Sequence, residues 1–342
     1  MAVFYRNNSI EFFRFLFMVV ICMWHFNMLH IFNHGYLAVD FFFILSGYFI
    51  YASYCRDSSR NVITFLKNKI RRFFPEYFLM LLITFIMKSP NHISRLYTME
   101  QNFKWIISLI PDSLFVFSTG VFQQGIINPT WYLSVLIFGG GWIYAMLRYD
   151  RKMCLSIIFP ILIISFFSYI NTHGKNLELW RTKDLKVFLP LLRGMSEMCI
   201  GIYLSVFVSE EKELLKNRTY CLLLNLLSVL SLFLFFVLLF VKAHLDMYSI
   251  IFVPFIIIGC VLNKGWLNIL FNKKIFGILG GITYEMLIVH WSILMVFRFC
   301  IINFLIKDVY LLVILELLYL SIVISCSYGL KQIYKHKLRF LL

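Results

Sequence analysis

Apolar residues along this chain come in long continuous runs, not in the alternation of half-buried strands or the narrow stripe of a surface helix. A membrane span needs about 20 predominantly apolar residues. About ten runs meet that requirement, at 10–30, 36–54, 73–89, 130–148, 153–170, 186–207, 220–241, 246–262, 278–301 and 308–330. The pattern predicts an all-α polytopic integral membrane protein with one transmembrane domain over residues 1–342 and no soluble domain. The first run carries Arg14, follows Arg6 and lacks a small-residue cleavage site, so it reads as a retained span and not a signal peptide.

An even number of spans puts both termini on one side, and the basic residues choose it. With the N-terminus inside, the inner segments hold Arg6, the cluster from Arg56 to Arg72, Arg148 to Lys152, Lys212 to Arg218, Lys264, Lys273, Lys274 and the basic C-terminus. The outer segments hold fewer, among them Lys88, Arg95, Lys104, Lys175, Arg181 and Lys183. Both termini are therefore expected in the cytoplasm, with the protein multi-pass in the inner (cytoplasmic) membrane. The longest outer segment, about 89–129, contains an amphipathic stretch, 103–117, broken by Pro111. It is expected to lie on or dip into the outer interface. Its polar end, Gln123-Gln124-Gly125 to Asn128-Pro129, is either a substrate-facing surface or a plain connection.

Composition narrows the class. Of 342 residues, 61% are hydrophobic and only 14% charged, with a mean hydropathy of +0.82; a soluble domain is about a quarter charged. A cytosolic globular enzyme, a disordered chain and a collagen-like rod are excluded. The 19% aromatic content suits interfacial belts. A net charge of +15 would suggest nucleic acid in a soluble protein. Here it is the excess of cytoplasmic loops, and no nucleic-acid partner is expected. The cysteines at 22, 55, 154, 199, 221, 260, 300 and 326 are scattered, with no CxxC pair. Neither a metal site nor a disulfide framework is expected.

Ionisable groups inside spans are costly and are functional candidates by default. The first span carries Arg14 and His25, eleven residues and so close to three turns apart. They share a face about 16 Å apart along the axis. They cannot touch but can line one cavity, Arg14 at the cytoplasmic mouth and His25 toward the outer half. Arg forks onto phosphate or carboxylate, and His is the usual general base near neutral pH. The bland alternative is that Arg14 snorkels and His25 packs in a satisfied hydrogen bond. Asp40, close in sequence, is a candidate to orient the imidazole. Ser46-Gly47 reads as helix packing. Lys67 to Arg72 serves topology and would also suit a phosphate-rich ligand. Arg193 and Glu197, four apart, share a face and can pair. His290 is a second buried histidine, and Arg298 is expected to snorkel.

These residues together resemble the membrane-bound acyltransferase 3 family, whose members O-acylate cell-surface sugars and other acceptors. Arg14 and His25 fit its R-x10-H motif, and Asp40-Phe41-Phe42-Phe43-Ile44-Leu45-Ser46-Gly47 its DxFFxLSG signature. Arg71-Arg72-Phe73-Phe74-Pro75-Glu76-Tyr77 is similar to RRxxPxY, and Thr130-Trp131-Tyr132-Leu133-Ser134 to the Trp segment. Leu192-Arg193-Gly194-Met195 and Tyr284 to Trp291 resemble two later segments. Six segments occur in the right order over nearly the whole length. Many members carry a Glu after the Trp segment, where this chain has Val135 and Leu136.

The resemblance implies an O-acyltransferase, with acetyl-CoA as acyl donor, no metal, and a cell-surface or lipid-linked glycan as acceptor. His25 and Asp40 would be catalytic. Arg14, Arg71 and Arg72 would hold the CoA phosphates. Trp131, Tyr132, Arg193, Glu197 and His290 would meet the substrate. The competing class, a transporter or glycan flippase, predicts repeated halves or matched broken spans. No such symmetry is visible, although Gly139-Gly140-Gly141 interrupts one span.

Overall fold

The computed structural model describes residues 7–57, 59–92, 98–116, 125–173, 177–178, 189–211, 214–241, 245–262, 264–304, 306 and 308–340. Every regular element among them is helical: α1 Asn8–Phe26, α2 Ala38–Arg56, α3 Val62–His92, α4 Met99–Ile107, α5 Leu109–Ser113, α6 Trp131–Tyr149, α7 Arg151–Met153, α8 Phe159–His173, α9 Leu189–Glu210, α10 Arg218–Phe240, α11 Ser249–Val261, α12 Trp266–Phe271, α13 Lys274–Gly280, α14 Thr283–Asn303 and α15 Val309–Phe340. One π-helical turn, Cys154–Ile158, joins α7 to α8.

Among the described residues, eight helices are long and apolar enough to cross a membrane: α1, α2 with the turn before it, α6, α7–α8, α9, α10, α14 and α15. The expected run 73–89 lies within α3, whose first half is dense in charge from Lys67 to Glu76. The expected run 246–262 is the shorter apolar helix α11. Exposed Leu222, Leu226, Val229, Phe233 and Val237 stripe α10, and Val313, Ile314, Leu317 and Leu318 stripe α15. In water such stripes would be an association liability. In a bilayer they face the solvent.

Helix α2 is the most buried of the eight and sits against α9. A Cβ on Gly47 would run into the Met198 carbonyl, and one on Gly201 into the Ile44 carbonyl. Small residues thus let the two backbones touch, as expected for Ser46-Gly47. The start of α1 is fixed by Asn7, whose side chain accepts from the Ser9 and Ile10 amides and donates to the Cys260 carbonyl at 2.7 Å. Its C-terminus ends on Asn27 in the left-handed conformation (φ 52°).

The amphipathic stretch folds as two short helices, α4 and α5, with Pro111 inside α5. Phe103, Ile106, Ile110 and Leu114 are exposed, and Trp105 stacks on Phe85. Asp112 is buried and accepts from the Ile126 amide at 2.5 Å, tying this stretch to the lead-in of α6. Burial pushes its carboxyl up to about 7, against the opposing pull of that amide and of Lys88. Gln123 and Gln124 lie outside the described residues.

Candidate active site

A cavity of about 760 Å³ runs between α1, α2, α3, α6 and α14, within the size range of ligand sites. The lining follows helical periodicity. Helix α1 contributes Arg14, Met18, Ile21 and His25, one residue per turn. Helix α3 contributes Phe65, Lys69, Arg72 and Phe73, and α14 contributes Thr283, Tyr284, Leu287 and Trp291. Helix α6 supplies Trp131 and Tyr132.

One end is cationic, with Arg14, Arg60, Lys69 and Arg72. The Arg14 guanidinium is forked by Glu11, its Nη1 donating to both carboxylate oxygens at 3.0 Å. Arg60 donates to the Ser53 hydroxyl at 3.2 Å, and the Lys69 ammonium sits 4.8 Å from the Phe65 ring centre. His25 lies among aromatic rings, with Trp24 and Trp291 beside it and Tyr36 against Trp24, while Trp131 and Tyr132 line the cavity next to Phe42 and Phe43 of α2. Arg14 and His25 therefore line one cavity, on the face their spacing requires.

The Arg pair divides. Arg72 lines the cavity, whereas Arg71 lies in a shallow groove with Ile63, Lys67, Ile70 and Phe74. Adjacent helical residues point about 100° apart, and the arc of α3 that faces the cavity takes in Phe65, Lys69, Arg72 and Phe73 while Arg71 falls outside it. Lys69, three positions before Arg72, takes the place expected for Arg71. Its i, i+3 spacing was the available signal.

Asp40 does not orient His25. Its carboxylate is taken by Arg193 and by the Ser249 hydroxyl, the latter at 2.5 Å. Arg193 also donates to Glu197 at 2.9 Å, the expected pairing, and to the Leu177 and Tyr36 carbonyls at 3.1 and 3.3 Å. Arg193 reaches the cavity wall; Asp40 and Glu197 are fully buried behind it. Tyr36 in turn donates to Asp246 at 2.5 Å. The network ties the α1–α2 turn to α9 and α11. Partner choice follows the α2–α9 contact, which closeness in sequence to His25 does not reveal.

Trp131 and Tyr132 face the cavity as expected, and the Tyr132 hydroxyl is 3.0 Å from the Ser46 hydroxyl. Ser46 is thus part of the lining and not only packing. His290 is buried behind His25, with the two ring centres 5.2 Å apart. Arg298 turns inward and donates to the His25 carbonyl at 2.5 Å, where a snorkelling side chain was expected. That carbonyl is among the last of α1 and has no helical partner of its own. Among the described residues no His/Cys/Asp/Glu cluster could hold a metal ion.

Helices long and apolar enough to cross a membrane, around a cavity lined by Arg14, Lys69, Arg72 and His25, define a polytopic membrane protein with an internal polar site. The chain is a member of the acyltransferase 3 family: the family model for its acyltransferase domain matches residues 7–331. It is accordingly a membrane-bound acyltransferase. No curated protein and no solved structure matches the chain.

Proposed function

We propose that this acyltransferase moves an acyl group, acetyl in the first instance, from cytoplasmic acyl-CoA to a hydroxyl of a cell-surface or lipid-linked glycan. The observation that carries this reading is the single cavity lined by Arg14, Lys69 and Arg72 at one end and by His25 at the other. Both termini and the cationic end are taken as cytoplasmic, with α3 and α11 completing ten crossings of the inner membrane. The CoA phosphates sit on the three cations and compete with the Glu11 carboxylate for Arg14. Fork and point-charge recognition of phosphate suits Arg and Lys respectively. The pantetheine arm follows the α1 face toward His25. The acceptor sugar stacks on Trp131 and Tyr132, with Arg193 forming part of the wall.

In the reaction, neutral His25 takes the proton of the acceptor hydroxyl as its oxygen attacks the thioester carbonyl. The tetrahedral intermediate collapses, the C–S bond breaks, and the proton passes from His25 to the leaving sulfur. Ester and free CoA thiol leave, and the protein regains its starting protonation.

The test is transfer from labelled acetyl-CoA to a lipid-linked or surface glycan in membranes carrying wild type or His25→Ala. Loss of transfer with normal protein levels supports the role of His25; undiminished transfer sinks it. Binding of acetyl-CoA by the purified protein, weakened by Arg14→Ala, tests the donor.

A further inference from the structure

We infer that His290 is a positioning residue for His25: its Nε2 accepts the Nδ1–H of His25 and so fixes the imidazole with a bare Nε2 toward the cavity. The inference rests on the reading of His25 as the base, and deepens it.

The Nδ1 of His290 lies 2.9 Å from the Met286 carbonyl, one turn back on α14. A carbonyl oxygen only accepts, so this Nδ1 carries the hydrogen. A neutral imidazole has one N–H, so the Nε2 of His290 is a lone pair. That Nε2 is buried and has no partner. The Nδ1 of His25 is also buried and also without a partner. Two buried polar atoms with nothing to bond are costly, and here they belong to neighbouring rings. Their centres are 5.2 Å apart with planes inclined by 37°; as placed the two nitrogens are not bonded to each other, and a turn of the rings is what brings their edges into an N–H···N bond.

The surroundings favour this pairing. His25 lines the cavity and is partly exposed there. With Nδ1 buried, the Nε2 edge is the one that can meet a ligand. Trp24 and Trp291 flank the ring, with centres 4.8 and 5.5 Å away. The Arg298 bond holds the His25 backbone. Asp40, the carboxylate that its place in the sequence puts forward for this role, is committed to Arg193 and Ser249. The rival acceptor is the Ile21 carbonyl one turn back on α1. His290 makes the equivalent bond to its own helix; for His25 the Ile21 carbonyl is also within reach, and the tautomer found in His290→Phe decides between the two acceptors.

The experiment uses the full-length protein in lipid nanodiscs, with ring-¹⁵N histidine and resonances assigned by His25→Gln. The expected result is His25 protonated at Nδ1 in wild type and a mixture of tautomers in His290→Phe. His290→Phe should lose on the order of 10–100-fold in kcat with both KM values unchanged, because only the orientation of the base is affected. His290→Gln, whose amide oxygen can stand in for Nε2, should recover most of that loss. His25 protonated at Nε2 in wild type, an unaltered His25 tautomer in His290→Phe, or wild-type kcat in His290→Phe would each overturn the inference. If His290→Phe does not fold, the wild-type spectrum and His290→Gln still decide. Full activity in His25→Ala would instead remove the underlying reading of the base, whatever the tautomer.

Discussion

Two polar regions lie close together inside the bundle and are built on opposite principles. Around Arg193 every guanidinium nitrogen is used, serving two carboxylates and two carbonyls, and Ser249 closes on Asp40; the exceptions are one oxygen each of Glu197 and Asp246, buried without a hydrogen-bond partner. Around His25, bonds are missing: His25 Nδ1, His290 Nε2, Trp291 Nε1 and Arg298 Nε are all buried without partners. A saturated network holds helices in place. An unsaturated one leaves polar groups for a ligand or for a neighbouring ring to use. Cost in lipid alone does not separate the two, since both carry expensive groups; hydrogen-bond satisfaction does.

The largest effect should come from the unsaturated region. His25→Ala should lower kcat by about 10²–10⁴-fold, the usual worth of a general base, without changing the melting temperature in detergent. A large fall in melting temperature would make His25 structural and dissolve the contrast. Next, Arg193→Met leaves Asp40 and Glu197 buried without a counter-charge, a loss of about 3–5 kcal/mol for a broken buried pair. Thermal melting and yield of folded protein check it. A stable, correctly melting variant that has lost only kcat would move Arg193 into the reacting site.

Smaller effects should separate residues one position apart. Lys69→Ala or Arg72→Ala should raise the donor KM about tenfold, equivalent to about 1.4 kcal/mol. Arg71→Ala should change it less than about twofold, as expected of an exposed charge with no specific partner. Equal effects for Arg71 and Arg72 would show that both reach the donor. The smallest effect should be at Asp112, whose folded pKa of about 7 lies above the ordinary carboxylate value. A raised carboxyl stabilises the fold fully below its unfolded pKa, and that stability is lost as pH rises from about 4 through 7. Wild-type melting should therefore decline across this window, by at most about 1.4 kcal/mol per pH unit. Asp112→Asn should flatten the decline, and identical slopes would show that Asp112 does not titrate there.

Part of this contrast was legible in the chain. Arg14 and His25 were placed on one face because α-helical geometry fixes the angle between positions eleven apart. Arg193 and Glu197 were paired by the same rule, four apart. Asp40 was misassigned because its partner comes from another helix: nothing local to α2 says that it packs on α9 and not beside His25. Arg71 was misplaced for a local reason, since two adjacent basic residues look equivalent until the helix phase is known. His290 was visible as a buried histidine, but its nearness to His25 depends on how α1 and α14 meet.

The sequence alone determined the helices, their apolar faces and the alignment of residues along each one, because backbone periodicity and the length of a bilayer span are local constraints. Tertiary structure decided which carboxylate meets which cation, which basic residues face the cavity, and which ring stands behind His25. Those pairings join residues far apart in the chain. They are set by close contacts such as Gly47 and Gly201 at the α2–α9 crossing, where the absence of a side chain, and not any charge, determines what lies within reach.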